Sequence, residues 1–149
     1  MKILVSACLM GRNCKYSGGN NHNHAVVELR QNHELVEVCP EVMAGLPIPR
    51  TPIELVGGVL MDKLGQNVDE VLRQAADRAV KLALSAGVEL AILQPRSPTC
   101  GVEQVYDGTF SGRLIPGGGV FAQKLRDAGI PVVDAGALAE GRVEISSLG

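Results

Sequence analysis

The sequence has no tryptophan and only two tyrosines and two phenylalanines. Large rings therefore cannot build its core, which must be packed from Val, Leu, Ile and Ala. It also lacks any apolar run near the roughly 20 residues that cross a bilayer. The opening Met1-Lys2-Ile3-Leu4-Val5-Ser6-Ala7 is too short for the apolar segment of a signal peptide. No membrane partner is expected, and the expected location is cytoplasmic. An excess of one charge is missing too: 14 Lys and Arg stand interspersed with 16 Asp and Glu, for a net charge of −2. Without a basic stripe or tail, no nucleic-acid partner is expected, and a small substrate is favoured over a polymer. The four cysteines include no Cys-x-x-Cys pair, the usual spacing of structural zinc sites. In a reducing compartment they suit ligands or reactive thiols better than a disulfide framework.

What is present describes one domain, residues 1–149, with enough apolar residues (46%) to bury a core. Lys2 to Ala7 reads as a buried strand, and the Gly- and Asn-rich Cys8 to Asn23 as a loop. Ala25 to Gln31 reads as a short helix capped by Asn23 or His24. Leu35 to Val38 is a second strand ending at Cys39-Pro40. Gly45 to Pro52, with three prolines, is irregular. The clearest helix runs from Asp69 to Ser85, with Val71, Leu72, Ala75, Ala79, Leu82 and Ala83 on one side and Gly87 as its stop. Leu90 to Leu93 is a strand, Val120 to Asp127 a helix ended by Gly129, and Val132-Val133 a short strand; the last fifteen residues are weakly specified. Apolar strands alternating with amphipathic helices predict a single-domain three-layer α/β/α fold, Rossmann-like, with a small and mainly parallel sheet.

Three cysteines then occupy equivalent places: Cys8 after the first strand, Cys39 after the second, and Cys100 in the loop after Leu90–Leu93. Open α/β sheets bind ligands beyond the carboxyl ends of their strands, near a topological switch point, so the three can converge. Any one cysteine alone is more often a small buried hydrophobe. Here each stands among loop residues such as Gly11, Pro40, Pro98 and Gly101, and together they read as a site. Three cysteine ligands leave open a zinc site or an iron–sulfur cluster with one iron free for substrate. Cys14 could be a fourth ligand, a redox partner for Cys8 or a loop thiol, and the last reading is favoured.

Around the cysteines, Glu41 is a candidate proton-transfer group, balanced against an ordinary exposed loop carboxylate. Arg50, flanked by Pro49, is a candidate substrate anchor. Ser97 and Thr99 could bond substrate or merely cap a turn. Tyr106-Asp107-Gly108-Thr109-Phe110 resembles a turn between extended segments. Gly117-Gly118-Gly119 precedes a helix whose amides could bind an anion, though it lacks the Walker lysine and the dinucleotide spacing. His22 and His24 suit an exposed polar loop better than a metal site.

These residues resemble a known family. Cys8-Leu9-Met10-Gly11 with Lys15-Tyr16-Ser17-Gly18-Gly19, Cys39-Pro40-Glu41, Pro49-Arg50, Ser97-Pro98-Thr99-Cys100-Gly101 and Tyr106-Asp107-Gly108-Thr109-Phe110 are similar to the signature blocks of a bacterial domain-of-unknown-function family that includes the iron–sulfur thiouracil desulfidases. The blocks run in order from residue 3 to about residue 133. The resemblance implies a desulfidase with an oxygen-sensitive 4Fe-4S cluster held by Cys8, Cys39 and Cys100. One open iron would take the sulfur of a small thiolated nucleobase such as 2-thiouracil, with hydrosulfide released and no net redox change. It implies Glu41 and Ser97 as catalytic residues, and Arg50, Thr99, Tyr106 and Asp107 as substrate-binding ones. Thr99 stands where serine is common, Gln94 where lysine is expected, and Asp69 and Ala75 differ from a usual Thr and Gly. The rival readings are a non-catalytic iron–sulfur or thiol redox-sensing module and a zinc-binding structural domain. Iron and sulfide analysis separates them.

Overall fold

The computed structural model describes residues 1–145, and the last four of the fifteen terminal residues lie outside it. In chain order the elements are β1 (Lys2–Ser6), a 3-10 turn (Ala7–Met10), α1 (His24–Glu28), a second 3-10 turn (Leu29–Gln31), β2 (Glu34–Val38), α2 (Pro40–Met43), β3 (Ile53–Val56) and β4 (Val59–Asp62). There follow α3 (Asp69–Ala86), β5 (Leu90–Leu93), β6 (Gln104–Tyr106), β7 (Leu114–Pro116), α4 (Val120–Asp127), β8 (Val132–Asp134) and α5 (Ala135–Ala139). Four strands form the central sheet in the order β2-β1-β5-β8, with every pair parallel. The chain moves outward from β1 to β2 and then to the opposite side at β5. The switch point therefore lies between β1 and β5, where the carboxyl ends of those strands open a crevice.

Alternation along the strands feeds two apolar layers. Ile3, Val5, Leu90 and Ile92 face Val26 and Ala135, placing α1 and α5 on one side. Leu4, Ala91 and Leu93 face Leu72, Ala76, Ala79, Phe121 and Leu125, placing α3 and α4 on the other. The alanines of α3 let the helix approach the sheet closely, which suits a chain with few rings. This is the three-layer α/β/α arrangement expected from the alternation of strands and helices. No helix of the described residues is long and apolar enough to cross a membrane.

Several local expectations are corrected. Val71 and Leu82 do not belong to the buried side of α3; they are 39% and 42% exposed, and Ala76 is buried instead. Cys8 lies in the 3-10 turn that continues β1 rather than in an open loop. Cys39 caps the one-turn helix α2, with Pro40 at its first position, where proline's fixed φ and missing amide cost nothing. Residues 53–62 form an antiparallel hairpin, β3–β4, closed by Gly57-Gly58, both at positive φ. A Gly-Gly pair between two apolar runs is a hairpin signal, but strands of four residues each are too short for their alternation to stand out in the sequence. Asp107-Gly108 does sit between paired strands, but the connection of β6 to β7 is seven residues, 107–113, rather than a two-residue turn.

Candidate functional site

At the carboxyl edge of the sheet lies a cavity of about 430 Å³. Cys8, Cys14, Cys39 and Cys100 all line it, so the structure brings the three strand-end cysteines together and adds the fourth. No disulfide joins them. The Sγ of Cys8 accepts a hydrogen bond from Asn21 Nδ2 at 3.4 Å, and Ser6 bonds the Cys100 thiol. Burial pushes the Cys8 thiol up; the Asn21 bond opposes it, and the nearby Cys39 and Glu41 add to it. Burial raises Cys100 well above the ordinary thiol range, against the Ser6 bond. Cys14 is pushed up to about 12 by burial and by the neighbouring Cys39 and Cys8. Such thiols stay protonated until a metal displaces the proton. Lys15, Arg50, Lys63 and Arg96 also line the cavity and would oppose the charge of several thiolates.

The loop carrying Cys100 is fixed by its own hydroxyl and glycines. Ser97 Oγ accepts the amides of Thr99 and Cys100 at 3.0 and 3.1 Å, so Ser97 caps the turn while also lining the cavity. A Cβ on Gly101 would sit 2.6 Å from the Ser97 carbonyl oxygen, and one on Gly119 2.5 Å from that of Thr99. The amides that open α4 are not free to bind an anion. Gly119 N–H donates to Gly101, Val120 to Pro98 and Phe121 to Thr99, so the start of α4 is used to hold the Cys100 loop.

Glu41 lines the cavity and is gripped from two sides. Its Oε1 accepts Arg50 Nε at 3.0 Å and Nη2 at 2.8 Å, and its Oε2 accepts Thr99 Oγ1 at 3.1 Å. Arg50 Nη2 also donates to the Cys14 carbonyl and Nη1 to the Pro47 carbonyl. The two side chains are only 6% and 16% exposed, a buried charge-assisted pair that fixes the carboxylate. Arg50 is thus committed to Glu41 and to the loop of Cys14, although it borders the cavity. Thr99 lies behind the cavity wall, 1% exposed, with its hydroxyl spent on Glu41.

Tyr106 lines the cavity, whereas Asp107 does not. The hydroxyl and amide of Thr109 donate to Asp107 and hold its carboxyl below the usual range. Gln94, at the end of β5, lines the cavity, and its amide donates to Ser6 Oγ. His22 and His24 are exposed, and His24 pairs with Glu28. Sequence reasoning missed Ser6, Asn21, Glu54 and Phe110. The first two reveal themselves only through bonds to cysteine sulfur. Glu54 and Phe110 depend on the missed hairpin.

Among the described residues, no three His, Cys, Asp or Glu side chains are grouped around a position for a single ion. A polynuclear cluster makes a different demand, because each thiolate takes its own metal corner. Cys8, Cys39 and Cys100, drawn from three separate segments around one cavity, have the donor chemistry for that demand.

Comparison with known proteins identifies the family. The model of the 2-thiouracil desulfurase family matches residues 3–136. An uncharacterized protein of Bacillus subtilis (strain 168), YbbK, is 36% identical over 141 residues, covering 88% of this chain and 93% of that protein. The solved structure of the [4Fe-4S]-dependent thiouracil desulfidase TudS superposes with a TM-score of 0.87 at 35% identity, over 93% of each chain. The family match spans every block that carries the cavity, from Cys8 to Phe110, and on that match this chain belongs to the 2-thiouracil desulfurase family.

Proposed function

We propose that the protein is an iron–sulfur-dependent desulfidase for a small thiolated pyrimidine such as 2-thiouracil. Water replaces the sulfur at the ring carbon, C=S becomes C=O, and the sulfur leaves as hydrosulfide with no net change of oxidation state. The observation that carries this reading is the convergence of Cys8, Cys39 and Cys100 on one cavity that also holds Glu41 and Ser97. When bound by those three thiolates, a 4Fe-4S cluster supplies an iron without a protein ligand, a site for the substrate sulfur.

The chain's own residues do the rest. Glu41, held by Arg50 and Thr99, presents a fixed carboxylate to accept the proton of the attacking water. The Ser97 oxygen takes two amides, leaving its hydroxyl hydrogen free to orient water or substrate. Arg50 and Thr99 act here as positioning residues for Glu41, and Tyr106 as a wall of the substrate pocket. Cys14 stays outside the ligand set.

Purification without oxygen tests the proposal. The expected result is a brown protein with about four irons per chain that converts 2-thiouracil to uracil and sulfide. Cys8→Ala, Cys39→Ala and Cys100→Ala lose the iron, whereas Cys14→Ala keeps it. A colourless protein without iron after reconstitution overturns the proposal. Iron without sulfide release from any thiolated base makes it a redox-sensing module, and zinc in place of iron makes it a structural metal domain.

A further inference from the structure

The chain holds four aromatic residues, and three of them, Tyr16, Tyr106 and Phe110, line this one cavity; the fourth, Phe121, is in the core. In a protein so poor in rings, that concentration marks a surface for a planar ligand. Phe110 is the unusual member. Its φ is +55°, and only one other non-glycine residue among those described, Arg96, has positive φ. Arg96 lines the same cavity. An aromatic side chain in this region is disfavoured and persists only where its surroundings over-determine it.

Glu54 provides that constraint. It lies on β3, in the hairpin outside the main sheet, and is 6% exposed. Its Oε1 accepts the amide of Gly108 at 2.9 Å and that of Phe110 at 3.1 Å. Between them the loop is pressed against the hairpin: a Cβ on Gly108 would meet the Leu55 carbonyl oxygen at 2.5 Å. A buried carboxylate is a costly way to satisfy two amides, and it fixes the backbone of Phe110 in a conformation the ring would not choose.

We infer that Phe110 is the stacking platform for the planar ring of the substrate, and that Glu54 is the positioning residue that sets its angle. This rests on the desulfidase reading for the identity of the ring. The role itself requires only a flat heterocycle in the cavity. Phe110 has no polar chemistry to offer the reacting carbon, and Glu54 Oε1 is spent on the amides of Gly108 and Phe110, so the effect belongs to binding.

Two measurements on the reconstituted protein test the inference. In steady-state kinetics with 2-thiouracil, Phe110→Ala raises KM about tenfold, with kcat changed by less than about threefold and iron content unchanged. Glu54→Ala does the same, and Glu54→Gln, which keeps an acceptor oxygen, recovers most of the loss. The second measurement uses the absence of tryptophan. Phe110→Trp introduces the sole indole, whose fluorescence is quenched saturably by 2-thiouracil and by uracil; adding Glu54→Ala weakens that quenching about tenfold. An unmoved KM in Phe110→Ala, or no quenching in an active enzyme, overturns the inference. So does a Glu54→Ala protein that loses iron and kcat with KM intact. If no thiolated base yields sulfide, the desulfidase reading fails, and the quenching titration alone decides whether a flat ring stacks on residue 110.

Discussion

At the scale of single residues, Arg50 shows how a buried charge fixes another side chain at the cavity. Its guanidinium makes four hydrogen bonds, two to Glu41 Oε1 and one each to the Cys14 and Pro47 carbonyls. A lysine offers the charge but not the planar fork. Removing one partner of a buried pair strands the other, which costs about 3–5 kcal/mol. Arg50→Ala is therefore expected to lower the urea stability by about that much, and Arg50→Lys by about 1–3 kcal/mol. A loss in Arg50→Ala below about 1 kcal/mol would mean that the pair behaves as a surface contact. The rigid placement of Arg50 was legible from its prolines, but its partner was not. Glu41 lies nine residues away across an irregular segment, and no local pattern pairs the two. Cys8, Cys39 and Cys100 were legible because strand ends in a parallel sheet share one edge. Asn21 and Ser6 were not, because a bond to sulfur leaves no trace in spacing.

Among elements, the start of α3 joins the helix layer to the hairpin that carries Glu54. Asp69 Oδ1 accepts the Leu60 amide of β4 at 2.9 Å and Arg73 Nε at 2.9 Å, while Arg73 Nη2 donates to the Gly58 carbonyl. Partial burial works against the charge of Asp69, but the Leu60 amide and Arg73 outweigh it and hold the carboxyl below the usual range. A depressed folded-state pKa contributes stability above the ordinary aspartate value of about 3.9 and loses it as pH falls through the folded value. Asp69→Ala is expected to cost about 1 kcal/mol at pH 7, a deficit that shrinks below about pH 4. Denaturation curves at both pH values check this, and a deficit constant with pH would remove the charge from the explanation. The boundaries of α4 and β5 were legible to the residue, and α3 to within one, because the periodicity of both helices ends at a glycine, Gly129 and Gly87, and the apolar run of β5 stops at Gln94-Pro95. The hairpins were harder to read, since strands of three and four residues are too short for alternation to exceed noise.

For the whole molecule, the question is whether the cluster holds the fold together or only the site. The two apolar layers are sealed by residues such as Leu4, Ile92, Leu72, Phe121 and Leu125, all at or near zero exposure and independent of any metal. The three proposed ligands follow β1, β2 and β5, which the parallel ladder already holds in register. A cluster there ties residues 8, 39 and 100 across an edge that is set before it binds. Binding to the folded state alone adds stability by mass action, about 4 kcal/mol when the group is present at a thousandfold its dissociation constant. For a domain of this size, each kcal/mol shifts the melting temperature by about 2–4 °C. Chelation without oxygen is therefore expected to lower the melting temperature by roughly 8–16 °C and leave the far-ultraviolet circular dichroism unchanged. The loss should be near zero in Cys39→Ala, which begins without the cluster. Collapse of the dichroism on chelation would show instead that the edge is assembled by the metal, as in small zinc domains that are unfolded without it.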